Sequence, residues 1–439
     1  MVDEPDGKPP CPWRSFKERV AALAQRIVDA QRPIRVLNAI KWGPDVFERF
    51  RDSGYREMPS VDRDDYERVP LGFDPELKRA EFAEIIRDVR RDLGDTDPIG
   101  RILVATAQEY ALLTEMLEAR GTPRFYRLSR ELYGTAKERF VDDETRVRDV
   151  ALDMYHLLTH LDEAVLGPQP VRDVPAERAV EVLNQRLNQV FGDGRVRVIL
   201  DDGIVADASA GSDYVKLRRS AMFSERDIRV LEVHEGWVHV ATSLNGQHQP
   251  VARWLGKGPP RTAATQEGMA ALLEVLTFIS HPSRARRLND RVLAVDKAED
   301  GASFLEVFEW FRTEGYDEEV CFWNTQRVFR GGVLDGGAPF TKDIVYIKGI
   351  VSNYNFLRSA IAAGRPELIR WLFVGKVAVE DIPVLAARSH QGVVLPPRYV
   401  PEMFRDLNGL AIWLGVSTFW SRLKNSAVQR HYERLFADV

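Results

Sequence analysis

The chain has 439 residues, 44% of them hydrophobic, enough for one large domain or two to three ordinary ones, each with its own core. Its 61 basic and 66 acidic side chains leave a net charge of −5, so no overall field recruits nucleic acid or an anionic membrane. The two cysteines, Cys11 and Cys321, cannot build a disulfide framework or a C-x-x-C zinc site, and they point to a reducing compartment, the cytoplasm.

The N-terminus, MVDEPDGKPPCPW, is acidic and proline-rich and lacks the basic start and apolar stretch of a secretory signal; it reads as a disordered leader. SFKERVAALAQRIVDAQ then spaces its apolar residues three and four apart, as an amphipathic helix does. A polar, irregular segment follows up to Asp65. From Asp74 to about Leu166 the pattern is helical throughout, with Gly and Pro punctuating ELKRAEFAEIIRDVRRDLG, PIGRILVATAQEYALLTEMLEARG and TRVRDVALDMYHLLTHLDE. GPQPVRDVP, from Gly167 to Pro175, is the best linker candidate. These breaks predict a leader and first helix over 1–65, a helical subdomain over 66–170 and a catalytic domain over 171–439.

Past the linker, AERAVEVLNQRLNQVFG predicts a helix, and the period then changes to two in RVRVIL, GIVADAS and DYVKLRR, as a small antiparallel sheet requires. Ser224, followed three residues later by Asp227, resembles a capping box. It starts a helix at about Glu225 that runs through VHEGWVH to Ser243. A loop rich in Gly and Pro leads to a second strong helix, TQEGMAALLEVLTFIS. The apolar stretches from Gly268 and from Leu407 fall short of the roughly 18 residues of a membrane span, so Trp413 and Trp420 read as core. The expected class is α+β and mostly helical.

VHEGWVH carries the chemistry. Two imidazoles one turn apart with a glutamate beside the first make the familiar zinc motif H-E-x-x-H, but here His239 comes five positions after His234. On a straight α-helix five positions turn about 500°, so the two rings diverge by about 140°, against about 40° for a spacing of four. A one-residue π-bulge restores convergence, and such bulges occur mostly at functional sites. Gly236 supplies backbone freedom there, and Glu235 falls where a general base for a metal-activated water belongs. A catalytic zinc takes three protein ligands. Glu267, at the start of the next helix, is the favoured third, in the order of sheet, motif helix, loop and glutamate helix found in glutamate zincins. His248 competes for that place. From composition alone, a chance H-E-x-x-x-H has a frequency of about 0.01 per chain. His156 and His160 are spaced for a metal, yet with no glutamate after the first they read as ordinary helix residues.

The sequence also resembles a family. His-Glu-x-x-x-His followed by Thr-Gln-Glu-Gly is similar to the signature of proteins named for a QEGLA motif, also labelled flavohemoglobin-expression modulators, whose animal relatives are the microtubule-associated tyrosine carboxypeptidases. RGTPRFYRLSRELYG from Arg120, RVFRGG from Arg327 and FTKDIVYIKG from Phe340 look like family segments in matching order, from about Asp74 to the C-terminus. The resemblance implies zinc on His234, His239 and Glu267 with Glu235 as the base. Two departures stand out: Gly236 lies one place before the family glycine, leaving Trp237 in its position, and QEGLA here reads QEGMA, with Met269 a volume-conserving swap.

The function expected is that of a zinc carboxypeptidase acting on a peptide or protein C-terminus, with neither nucleic acid nor membrane as partner. Glu235 takes a proton from water and passes it to the leaving amine, while Tyr346 is a candidate oxyanion donor. A free terminal carboxylate needs a cationic clamp, for which Arg327, Arg330 and Lys342 are the candidates, Arg330 and Lys342 foremost. The rival readings are a non-catalytic regulatory protein that keeps the fold, and a zinc hydrolase for a non-peptide amide. GGVLDGGAPFTK and GKGPPR lack the G-K-[ST] order and the free N–H groups of a phosphate loop, so no nucleotide site is expected.

Overall fold

The computed structural model describes residues 12–43, 45–141, 143–161, 166–167, 170–202, 204, 206–420 and 432. Residues 1–11 of the expected leader, part of the linker (168–169) and the Trp420 side chain lie outside the described residues, while the leader's last two residues, Pro12 and Trp13, begin the first helix. The N-terminal part is helical: α1 (Pro12–Ala30), α2 (Val36–Ala39), α3 (Asp45–Asp52), α4 (Arg63–Glu67), α5 (Pro75–Leu93), α6 (Pro98–Glu118), α7 (Pro123–Tyr133) and α8 (Val147–Thr159). Proline at the first helical position repeatedly sets the start, because its missing N–H is one the first turn leaves unpaired anyway. Asp74 caps α5 by accepting from the Leu77 N–H, and Asp97 caps α6 through the Ile99 and Gly100 N–H groups.

The strands are short. β1 (Val174–Pro175) pairs antiparallel with β5 (Met222–Phe223), and β2 (Arg197–Asp201), β3 (Ala208–Ala210) and β4 (Tyr214–Arg218) form a three-stranded sheet in the order β2-β4-β3. The expected antiparallel pairing holds for β3 with β4, whereas β2 joins β4 in parallel. The chain leaves β2, forms β3 at the far edge and returns through the Gly211–Asp213 turn as the central strand, which fixes that direction. The inward residues Val198, Val215 and Leu217 pack with Ala179, Leu183 and Leu187 of α9 (Ala176–Phe191) in a small core of their own.

α10 (Glu225–Leu231) starts where its capping box predicts: the Ser224 hydroxyl accepts from the Asp227 N–H and the Asp227 carboxylate accepts from the Ser224 N–H. It continues into a nine-residue π-helix at Glu232–Val240 and then into α11 (Ala241–Gln247). α12 (Ala263–Leu276), α13 (Pro282–Glu299), α14 (Phe304–Thr313), α15 (Glu318–Phe329), α16 (Val345–Ala362), α17 (Ile382–Ser389), α18 (Glu402–Arg405) and α19 (Asn408–Trp420) complete the chain. One hydrophobic core runs from Val20 on α1 through Trp42, Phe50, Phe82 and Phe125 to Phe308, Phe329 and Leu414. Residues from all three predicted segments contribute to it. Among the described residues, no helix is long and apolar enough to cross a membrane.

Candidate metal centre and its cationic surround

The motif segment makes the distortion its spacing demands. In the π-helix the Ala241 N–H reaches the carbonyl of Gly236, five residues back, so the turn is one residue wider than in an α-helix. Hydroxyls from the following turn help satisfy the displaced carbonyls: Thr242 Oγ1 donates to Val238 O at 2.7 Å and Ser243 Oγ to His239 O at 2.7 Å. The widened turn brings the His234 and His239 rings to 5.1 Å between centroids. Gly236 faces α9, where a Cβ would come within 2.5 Å of the tip of Leu187. Trp237 packs against the main core.

The third partner comes from α12. Glu267 Oε2 lies 3.9 Å from His234 Nε2 and 3.7 Å from His239 Nε2, and ligand atoms of the three side chains all fall within 4.8 Å of one another. α12 reaches this position because it packs on α16 with almost nothing between the backbones. A Cβ on Gly268 would meet the Gly349 carbonyl carbon at 2.0 Å, and one on Gly349 would meet the Ala264 carbonyl oxygen at 1.9 Å. Asn353 of α16 reinforces the contact by donating to the Thr265 carbonyl at 3.0 Å. The glycine of the QEG segment is thus the residue that lets its glutamate approach.

The donor set suits a borderline cation such as zinc, and its surroundings fit as well. His234 is buried, and its Nδ1 lies 2.6 Å from Glu274 Oε1, which leaves Nε2 turned toward Glu267. Glu274 is itself gripped by both Nε and Nη2 of Arg284, at 3.1 and 2.9 Å. A carboxylate that fixes the ring orientation of a histidine in this way is the usual outer partner of a metal-binding imidazole. Burial resists the charge on Glu274, but Arg284 and His234 overcome it and hold the carboxyl down at about 2. Burial likewise resists ionisation of Glu267, and Lys342 and the two imidazoles outweigh it, so that carboxyl stays charged well below its ordinary range. Glu235 is half-buried and makes no side-chain hydrogen bond or ion pair among the described residues.

The three predicted clamp cations part ways. Arg327 is bound bidentately to Asp343, at 2.8 and 2.7 Å, and Lys342 pairs with Glu267 at 3.3 Å. Arg330 has no carboxylate partner among the described residues; its Nε is buried without a hydrogen bond, and its guanidinium lies over the Phe340 ring at 6.0 Å from the centroid. Burial and the charge of Arg327 bring Arg330 down to about 10. Arg291, which no sequence pattern singled out, shares that state: among the described residues its guanidinium has no carboxylate partner and donates to Asn324 Oδ1 at 3.3 Å, and burial and Arg327 bring it down to about 9. Lys376 is a third such group, brought down to about 8 by burial against the opposing pull of Glu267 and Glu235. Tyr346 is buried and feels the charges of Glu267, Arg327 and Arg291, and its hydroxyl has no hydrogen-bond partner among the described residues.

The remaining histidines lie elsewhere. His248 Nδ1 is 2.6 Å from the Leu244 carbonyl and its ring packs against Tyr399, so it is not part of the cluster. His156 on α8 and His160 just past its end are exposed. Glu274 had a sequence signal: it follows Glu267 by seven positions on one helix, two turns on and hence on the same face. Arg284 and Arg291 come from a different helix, and no local pattern ties them to the motif.

Fold and site together define a mostly helical α+β protein with a His/His/Glu cluster whose two histidines lie on a π-helix. The family model of the microtubule-associated tyrosine carboxypeptidases matches residues 48–422, and the chain belongs to that family. Comparison with curated proteins found no match.

Proposed function

We propose that this protein is a zinc-dependent carboxypeptidase that removes a C-terminal residue from a peptide or protein. The observation that carries the reading is the convergence of His234, His239 and Glu267 within 4.8 Å, with an uncommitted Glu235 between the two histidines in sequence. The family's name supports a peptidase that releases a C-terminal residue. Zinc held by these three side chains supplies a Lewis acid that polarises a carbonyl and acidifies water.

The chain's own residues do the rest. Glu235 accepts the proton of the attacking water and delivers it to the leaving amine. The Tyr346 O–H, which has no hydrogen-bond partner among the described residues, donates to the oxygen that becomes negative as the carbonyl is attacked. Lys342 holds Glu267 ionised and oriented. Arg330 binds the terminal carboxylate, and Arg291, which shares Arg327, Asp343 and Tyr346 as charged or polar neighbours, adds to the positive surround: a guanidinium that is buried without an anion gains from one more than a solvated guanidinium does, and its planar fork matches a carboxylate. That binding distinguishes a carboxypeptidase from an enzyme that cuts within a chain.

The test is mass spectrometry of a C-terminally diverse peptide library incubated with zinc-loaded protein. Wild type releases single C-terminal residues, and Glu235→Gln loses this activity by roughly 10²- to 10⁴-fold while keeping its zinc. A zinc-loaded wild type inert on every peptide would overturn the enzymatic reading, and a protein that takes up no zinc would overturn the metal reading as well.

A further inference from the structure

Arg330 stands at the end of α15 on a turn that is fixed from the opposite end of the chain. Tyr66 is 2% exposed, and its hydroxyl accepts from the Trp42 indole Nε1–H at 2.7 Å and from the Gly331 N–H at 2.8 Å. The Gly331 carbonyl accepts from the Gly121 N–H at 2.9 Å. Gly331 has a φ of +82°, and a Cβ there would strike the Phe125 ring at 2.3 Å, so no other residue fits that turn without a shift. The neighbour of Gly121, Arg120, donates to the Ala39 carbonyl at 2.6 Å and the Val69 carbonyl at 3.1 Å. These carbonyls lie at the two ends of the segment that carries Trp42 and Tyr66. The segments around Arg120 and Arg330 are thereby knotted together by an N-terminal strap.

Arg330 needs such a fixture. An unpaired guanidinium beside Arg327 and out of water is repelled by its neighbour and drawn toward solvent. If its backbone were free, the turn would relax outward and the side chain would leave the site. Pinning both polar groups of the next residue's backbone removes that escape. Burial keeps the Tyr66 phenol neutral, pushed up to about 12, so its oxygen serves as an acceptor for both N–H groups across the working range.

We infer that Tyr66, held by Trp42, is the positioning residue for Arg330: it fixes the Arg330–Gly331 turn so that the guanidinium stays aimed at the substrate's terminal carboxylate. The inference rests on the clamp role given to Arg330 above. Tyr66 touches no substrate and acts through the turn alone, so its removal should matter only to ligands that end in a free carboxylate.

The experiment measures binding, by fluorescence anisotropy, of one labelled peptide ending in tyrosine, as the free acid and as the C-terminal amide, to zinc-loaded protein carrying Glu235→Gln. Adding Arg330→Ala weakens the acid about tenfold or more and leaves the amide nearly unchanged. Adding Tyr66→Phe weakens the acid by about three- to tenfold, again sparing the amide. Combining the two is no worse than Arg330→Ala alone, because both act on one contact. Trp42→Phe, which removes only one donor to the hydroxyl, is the second variant should Tyr66→Phe fail to fold, and it shows the same selectivity. Equal weakening of acid and amide by Tyr66→Phe, or losses that add to those of Arg330→Ala, would show a merely structural role and overturn the inference while leaving the clamp intact. An Arg330→Ala variant that binds both peptides normally would overturn the clamp reading and this inference with it.

Discussion

Glu274 determines what His234 can do. A buried imidazole whose Nδ1 meets a carboxylate at 2.6 Å presents its other nitrogen in one direction only, and the Arg284 fork keeps that carboxylate ionised and still. Glu274→Gln keeps the shape but loses the charge. It is expected to weaken zinc affinity by about 10- to 100-fold, read by competition with a chelator of known affinity, with less effect on the melting temperature of the zinc-loaded protein. Unchanged affinity would mean that His234 is oriented by packing alone. The grouping of His234, His239 and Glu267, with Glu235 between the histidines in sequence, was legible because a short motif and one helix start contain them. Glu274 left a weaker trace, in its two-turn spacing from Glu267. Arg291, Lys376 and Tyr66 left none, since each reaches the site through tertiary packing from a segment with no local pattern of its own.

At the scale of elements, two glycines near the site have different reasons to exist. Gly236 meets only the flexible tip of Leu187, whereas Gly268 meets the backbone of α16. Leu187 can rotate away, but two packed helices cannot separate locally. Gly236→Ala should therefore cost about 1 kcal/mol or less and keep zinc. Gly268→Ala should lose roughly 3 kcal/mol or more and displace Glu267 from the two imidazoles. Chemical denaturation and zinc stoichiometry of both variants check this, and equal losses would refute the close-approach account. The glycine shifted by one place from the family pattern therefore stands on the side of the motif that packs against α9. The sequence showed where the π-turn had to be, because only a widened helix converges histidines five apart. It could not show that the widening spreads over nine residues, which depends on hydroxyls such as Thr242 and Ser243 being placed to take up the displaced carbonyls. The parallel β2–β4 pairing was equally hidden, because alternation reveals a strand's faces and not its neighbour's direction.

At the scale of the whole molecule, α6, the loop before α12 and the start of α17 meet in one partly buried ionic cluster. The Arg261 N–H donates to Glu109 at 2.7 Å, and its guanidinium pairs with Asp381 at 2.7 and 3.0 Å. One arginine thus serves two carboxylates. Burial pushes Glu109 up from 4.5 to about 7, with the Arg261 amide and charge recovering only part of the shift, and burial also raises Asp381 against the pull of Arg261. For an acid raised on folding, the folded state holds a proton that the unfolded state has already released. The stability due to Glu109 is therefore fully present below about pH 4.5, declines as pH rises, and is lost once pH passes about 7. The decline is bounded by about 1.4 kcal/mol per pH unit and is smaller to the extent that Glu109 is partly exposed. Glu109→Gln keeps an acceptor for the Arg261 N–H and removes the titration. Urea unfolding of the zinc-loaded protein at pH 5 and pH 7.5 should show wild type losing more stability than the variant between the two. Asp381 acts with the same sign and still titrates in the variant, so the variant's pH dependence is flattened and not abolished. Identical pH dependence in the two proteins would mean that water reaches Glu109 in the folded state. Because Arg261 leads directly into the helix that carries Glu267, the same comparison repeated on zinc affinity reads whether this junction also sets the reach of the metal-binding glutamate.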